Sequence, residues 1–177
     1  MEIRLQRSTL RPWRESDAEA LARHANEREI SRNMRDAFPH PYTLELARSW
    51  LASVAPARPV LFFAIDVAGE AVGGIGVTPL KDVYRRSGEI GYWLARPHWN
   101  RGIVSEAVNA ITNYAFADLD LVRVQTGVFE WNAASMRVLE KCGYAREGVQ
   151  RRAVIKEGRL ADCMLYARLR PDSSESA

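Results

Sequence analysis

The chain has 177 residues, of which 47% are hydrophobic and 27% charged, the proportions of an ordinary water-soluble domain long enough to bury a substantial core. No apolar run approaches the roughly 18 residues of a membrane helix, and "MEIRLQRSTL" alternates apolar and charged residues as no signal peptide does, so no membrane partner and a cytoplasmic location are expected. The net charge of +3 and pI near 9.1 permit an anionic ligand, yet the basic residues are scattered, densest in "QRRAVIK" (150–156), and no zinc-finger or RNA-recognition pattern makes a nucleic acid the expected partner.

In chain order, "IRLQRSTLRPW" alternates as a first strand. In "ESDAEALARHAN" Ser16 and Glu19 fit a capping box, and Leu21, Ala22 and Ala25 form the buried face of a helix. Pro39 and Pro41 hold the next loop extended. Thr43 then caps a second helix with Leu46, Ala47, Trp50 and Leu51 on one face. From Val60 the period becomes that of strands: "PVLFFAIDV", an "AGE" turn, "AVGGIGVTPL" and "SGEIGYWLA" predict three antiparallel strands. The helix "RGIVSEAVNAITNYAFADL" follows, with Ile103, Val104, Ala107, Val108, Ile111, Tyr114 and Ala115 on one face. "LVRVQTGVF" reads as a strand and "NAASMRVLEKCGY" as a short helix closed by Gly143. "YAREGVQRRAVIKEGRLADCMLYARL" reads as a terminal hairpin turning at "KEGR". One α+β domain over 1–170 with a disordered polar tail, 171–177, accounts for the pattern.

Cys142 and Cys163 are the only cysteines, and both sit in apolar patterns, which predicts reduced structural thiols. The three histidines, His24, His40 and His98, lack metal-ligand spacing, so no metal is expected.

Three segments carry the candidate chemistry. In "EIGYWLARPHWNRGIVSEA" a strand runs into a helix whose first amides lack intrahelical acceptors and sit at the positive end of the helix dipole. A pyrophosphate fits there, with Arg101 beside it and Gly102 keeping side chains away from the backbone; a plain helix start fits as well. Gly91 marks either a bulge that frees backbone N–H groups or a glycine beneath bulky Trp93. Asn132 and Ser135 open the "NAASMRVLEKCGY" helix, as cap and first-turn residues or as polar groups facing a cleft.

In this order the segments resemble the GNAT N-acetyltransferase superfamily. "LRPW..SDAEAL", "FPHPYTLELARSWL", "EIGYWL..PHWNRGIVSEAV", "NAASMRVLEKCGY" and "G...DCMLYARL" resemble its ribosomal-protein N-terminal acetyltransferase branch, over residues 2 to 170. The resemblance implies a mixed, mostly antiparallel twisted sheet of about seven strands flanked by about four helices, with splayed central strands. It also implies acetyl-CoA as cosubstrate. Tyr92, Trp93 and Leu94 would pair by backbone with its pantetheine arm. Asn100, Arg101, Gly102, Ile103, Val104 and Ser105 would hold the pyrophosphate, Asn132 and Ser135 would lie by the thioester, and Lys141 would reach the nucleotide end. Trp99 and Val104 depart from the family's "Q/RxxGxG/A" pattern, so the claim rests on Gly102 and the backbone amides.

The implied reaction is direct attack of a primary amine on the thioester, with Glu89 as the candidate base and Ser135 as the candidate acid, Tyr144 standing second. Glu106 is expected to be structural. Phe38, Pro39, Tyr42, Arg151 and Arg152 are candidates for the acceptor mouth. The expected acceptor is a protein or peptide N-terminal α-amine; a small-molecule amine, or an acyl-CoA-binding module without turnover, are the alternatives. The resemblance leans toward a homodimer.

Overall fold

The first alternating stretch forms two strands, not one. β1 (Ile3–Arg4) and β2 (Thr9–Pro12) pair antiparallel across a turn in which Leu5 N–H donates to the Ser8 carbonyl at 2.9 Å. The computed structural model describes residues 1–171, so the tail expectation lies, beyond Pro171, outside the described residues.

Helix α1 (Ala18–Ala25) is entered through a 3-10 turn at Glu15–Asp17. In place of the Ser16–Glu19 capping box, the bond forms two residues earlier, where the Asp17 carboxylate accepts from Arg14 N–H at 2.9 Å. A second helix, α2 (Arg28–Ser31), is too short to leave a periodic signature in the sequence. In α3 (Leu44–Val54) Thr43 caps by accepting from Leu46 N–H at 3.3 Å. Ala47 and Leu51 are fully buried and Trp50 half-buried, whereas Leu46 is exposed, because the stripe facing the sheet is narrower than the sequence suggests.

β3 (Phe62–Val67), β4 (Glu70–Pro79) and β5 (Ser87–Leu94) form the expected antiparallel meander. Helix α4 (Ile103–Ala117) crosses over to β6 (Arg123–Phe129), which lies parallel to β5. After α5 (Ala133–Lys141), β7 (Ala145–Lys156) and β8 (Arg159–Leu169) form the terminal hairpin. Its turn residues Glu157 and Gly158 both have positive φ, which a two-residue turn of the favoured twist requires. The eight strands lie in the order β1-β2-β3-β4-β5-β6-β8-β7, with β5–β6 the parallel neighbours.

α4 and α5 cover one face through Val77, Ile90, Ala107, Ile111, Val124 and Leu139. α1 and α3 cover the other through Trp13, Leu21, Ala47, Leu51 and Trp93. Gly74 lets two indoles lie against β4, since a Cβ there would stand 2.8 Å from Trp93 Nε1 and 3.1 Å from the Trp13 ring. Arg11 on β2 is 4% exposed and locks α1 to the sheet. Its guanidinium donates to both Asp17 carboxylate oxygens at 2.8 Å and to Asp66 on β3 at 2.7 Å.

Candidate active site

β5 and β6 pair only from Ser87↔Arg123 to Glu89↔Gln125 and then separate, β5 staying with β4 as far as Leu94 and β6 with β8 as far as Phe129. Backbone groups alternate sides along a strand. Ala95 N–H donates to Val72 and Leu80 N–H to Ser87, so in the same register Glu89, Gly91 and Trp93 are directed at β4. The groups of Tyr92 and Leu94 therefore face the gap. On the opposite bank, Glu130 N–H donates to Asp162 on the β8 side, which leaves Gly127 and Phe129 facing the gap.

This corrects two sequence expectations. Trp93 is engaged with β4 and does not offer its backbone to a ligand in the gap. Gly91 carries no bulge, because the β4–β5 register runs unbroken from Gly73↔Leu94 to Pro79↔Gly88. A Cβ at Gly91 would meet nothing within 4 Å, so the glycine leaves an open notch on the floor of the splay.

At the wide end of the gap, a short turn (Arg96–His98) leads into α4. Asn100 and Gly102 both have positive φ, and Gly102, the N-cap, sits at φ 77°, ψ −5°. Glu106 N–H donates to Gly102, the first helical bond; the amides of Ile103, Val104 and Ser105 have no acceptor among the described residues. These free donors, with the helix dipole, form an anion-binding cradle. Trp99, at one departing position, braces the loop: its indole donates to the Leu94 carbonyl at 2.7 Å, which closes the β5–α4 connection and removes that carbonyl from the gap. Val104, at the other, is half-buried against the core. His98 lies in the same turn with Nδ1 buried and unpartnered among the described residues; burial first and the Arg101 charge second hold it below its ordinary value.

Sequence reasoning missed Arg7. Its backbone N–H donates to Glu106 at 3.1 Å, its guanidinium pairs with the same carboxylate, and that guanidinium would lie 3.8 Å from a Cβ at Gly102. Glu106 is thus structural, as expected, and Arg7 joins Arg101 as a cation at the cradle. Ninety-nine residues separate Arg7 from Glu106, so only tertiary structure reveals the contact.

Tyr92 reaches across the gap to α5, where its hydroxyl and Ser135 Oγ are 2.7 Å apart. Burial raises the Tyr92 pKa well above its ordinary value, so the phenol keeps its proton at neutral pH. Asn132 caps α5, its Oδ1 accepting from Ser135 N–H at 3.2 Å. Lys141 is exposed at the far end of α5, about 13 Å along the axis. Tyr144 is not placed to act as an acid: it is 3% exposed, its hydroxyl is bonded to Thr112 Oγ1 at 2.6 Å, and burial pushes its pKa up to about 12. Cys142 and Cys163 are free and buried, and burial raises both thiols above their ordinary value.

Glu89 points from the opposite face, the one carrying α1–α3, and pairs with Arg35 from the α2–α3 loop. Arg35 was not singled out by the sequence, since nothing local links it to a strand 54 residues away. On this face Tyr42 is a core residue, 6% exposed and packed on Phe38 at 5.1 Å between ring centroids, so it cannot line a mouth. Phe38 and Pro39 are half-buried, and Phe38 meets Trp93 edge-on at 5.8 Å. Arg151 and Arg152 are exposed on β7, in an irregularity between Gln150 and Val154. The described residues contain no cluster of metal-ligating side chains and no helix long and apolar enough to cross a membrane.

The family model for the Acetyltransferase (GNAT) domain matches residues 7–145. A probable N-acetyltransferase of Bacillus subtilis is 39% identical over 104 residues, covering 57% of this chain, which spans 58% of that relative's length. An uncharacterized N-acetyltransferase of Bacillus licheniformis is 28% identical over 171 residues, 93% of this chain and 94% of that one. Among solved structures, Mycobacterium smegmatis RimJ in complex with CoA-disulfide superposes with a TM-score of 0.81 at 26% identity, covering 92% of this chain and 81% of its own.

Proposed function

Because the chain belongs to the GNAT acetyltransferase family, we propose that it transfers acetyl from acetyl-CoA to the α-amine of a protein or peptide N-terminus. The observation that carries the proposal is the union of two features: a gap where β5 and β6 stop pairing with each other, and the free first-turn amides of α4 at its wide end. The residues fit the cosubstrate. The amides of Ile103 to Ser105, with Arg101 and Arg7, suit a pyrophosphate, and the backbone of Tyr92 and the N–H of Leu94 suit the amides of an extended arm. When bound, acetyl-CoA supplies an activated thioester.

The chain's own residues do the rest. The notch at Gly91 leaves room for an acyl group on the face of Glu89. Ser135, held by Tyr92, is the hydroxyl positioned to stabilise a departing thiolate. Lys141 would contact the nucleotide end, and Asn132 acts by fixing the start of α5.

The Arg35–Glu89 ion pair supports the α-amine as acceptor. At pH 7.4 a lysine amine with pKa about 10.4 costs roughly 4 kcal/mol to deprotonate, whereas an α-amine near 7.8 costs well under 1 kcal/mol. A carboxylate already engaged by a guanidinium suits the easier deprotonation. Incubation with acetyl-CoA and a panel of N-terminal peptides and small amines, followed by free-thiol release, tests the reading. Turnover on blocked peptides bearing only lysine amines, or none on any amine despite acetyl-CoA binding, would overturn it.

A further inference from the structure

Between α2 and the tip of the β7–β8 hairpin lies a cavity of about 390 Å³. Arg28, Arg32, Lys156 and Arg159 line it, against two carboxylates, Glu29 and Glu157, and the indole of Trp131. It adjoins the gap. Trp131 packs on Phe129, the last residue of β6, at 5.4 Å between ring centroids, and its Nε1–H donates to Asn33 Oδ1 at 3.1 Å, which holds the ring in place. The Arg159 guanidinium lies 5.3 Å over that ring.

N–H donors outnumber carboxylate acceptors in the lining. Each cation engages one carboxylate through one nitrogen: Arg28 with Glu157 at 3.2 Å, Arg32 with Glu29 at 3.4 Å, Arg159 with Glu130 at 3.0 Å and Lys156 with Asp36 at 2.7 Å. Most of the N–H donors of the three guanidiniums stay free, and these side chains are 70%, 44% and 66% exposed. Exposed pairs at such distances are weak and exchange partners readily. The complementary ligand is a group that only accepts, a carboxylate, and Trp131 gives it a flat apolar floor.

We propose that this cavity receives the acidic side chains that follow the reacting residue, so that the acceptor is a peptide with an acidic N-terminal segment. The inference rests on the α-amine reading above. The test uses two peptides with the same first residue, one with Asp and Glu at the next three positions and one with Arg, assayed with the wild type, Arg159→Glu and Arg28→Glu. The wild type should favour the acidic peptide by about tenfold in kcat/KM, less at high salt, and the ratio should fall to parity or invert in the variants. Retention of the acetyl-CoA-induced rise in Tm certifies the fold; a variant without it is replaced by Arg159→Gln, for which parity is expected. Equal rates for the two peptides in the wild type, or an acidic preference unchanged in the variants, overturns this inference and leaves the α-amine reading standing. If neither peptide is acetylated while acetyl-CoA still raises Tm, both fall.

Discussion

Replacing Gly102 by valine separates the cradle at α4 from the rest of the molecule. Gly102 has φ 77° and ψ −5°, and a side chain in this left-handed region costs about 1–2 kcal/mol. The nearest atoms to a new Cβ are those of the Arg7 guanidinium at 3.8 Å, an ordinary contact, so backbone strain is the main cost to the free protein. For a domain of this size, that strain lowers Tm by about 2–8 °C. Acetyl-CoA at 100 times its dissociation constant stabilises a binding-competent protein by about 2.7 kcal/mol, a rise of about 5–10 °C. Branched methyls over the Ile103–Ser105 amides should abolish that rise. Gly158→Val is the matched control: φ is 76° with nothing within 4 Å, so it carries similar strain yet should keep the full rise. Differential scanning calorimetry with and without acetyl-CoA reads both effects. A Gly102→Val protein whose Tm still climbs as the wild type does would refute the cradle assignment.

Tyr92→Phe removes the hydroxyl bonded to Ser135 and should lower kcat about three- to tenfold with little change in the KM for acetyl-CoA, the effect of one neutral hydrogen bond. In a double-mutant cycle with Ser135→Ala the losses should fall short of additive; independent losses would remove Tyr92 as a positioning residue. Arg11→Met leaves Asp17 and Asp66 without their cation and should cost about 3–5 kcal/mol in urea denaturation, whereas a loss below about 1 kcal/mol would show that the buried cluster contributes little. His98 has its folded pKa held below the ordinary 6.5, chiefly by burial and then by Arg101. The unfolded chain therefore binds more protons around pH 6.5, so this residue's contribution is present above that pH and is lost as pH falls through the folded value. Stability from pH 7.5 to 5.5 should decline more steeply in the wild type than in His98→Gln; parallel curves would contradict the shift.

The meander β3–β4–β5, helix α4 with its buried face and the hairpin turning at Glu157–Gly158 were legible because each is a local pattern closed by turn chemistry. Thr43 and Asn132 cap as their sequence positions predict, for the same reason. What could not be read was set by contacts distant in the chain. The β1–β2 turn, Leu5 to Ser8, splits an alternating stretch with no glycine or proline at the break. Gly91 looks like a bulge locally, yet the long register with β4 overrides that reading. At the site, Gly102 and its amides were visible from the sequence, whereas the partition of Tyr92 and Leu94 from Trp93 required the register. Arg7 and Arg35 act from segments far from the residues they hold. The Trp99 departure became intelligible only once its indole was found on the Leu94 carbonyl.

The most direct measurement is site-localised mass spectrometry of one acidic peptide, carrying a free α-amine and an internal lysine, after incubation with acetyl-CoA and the protein while thiol release is followed. The proposed reaction predicts one acetyl group per thiol released, located on the α-amine. Acetyl on the lysine side chain, or thiol release without an acetylated peptide, would contradict it.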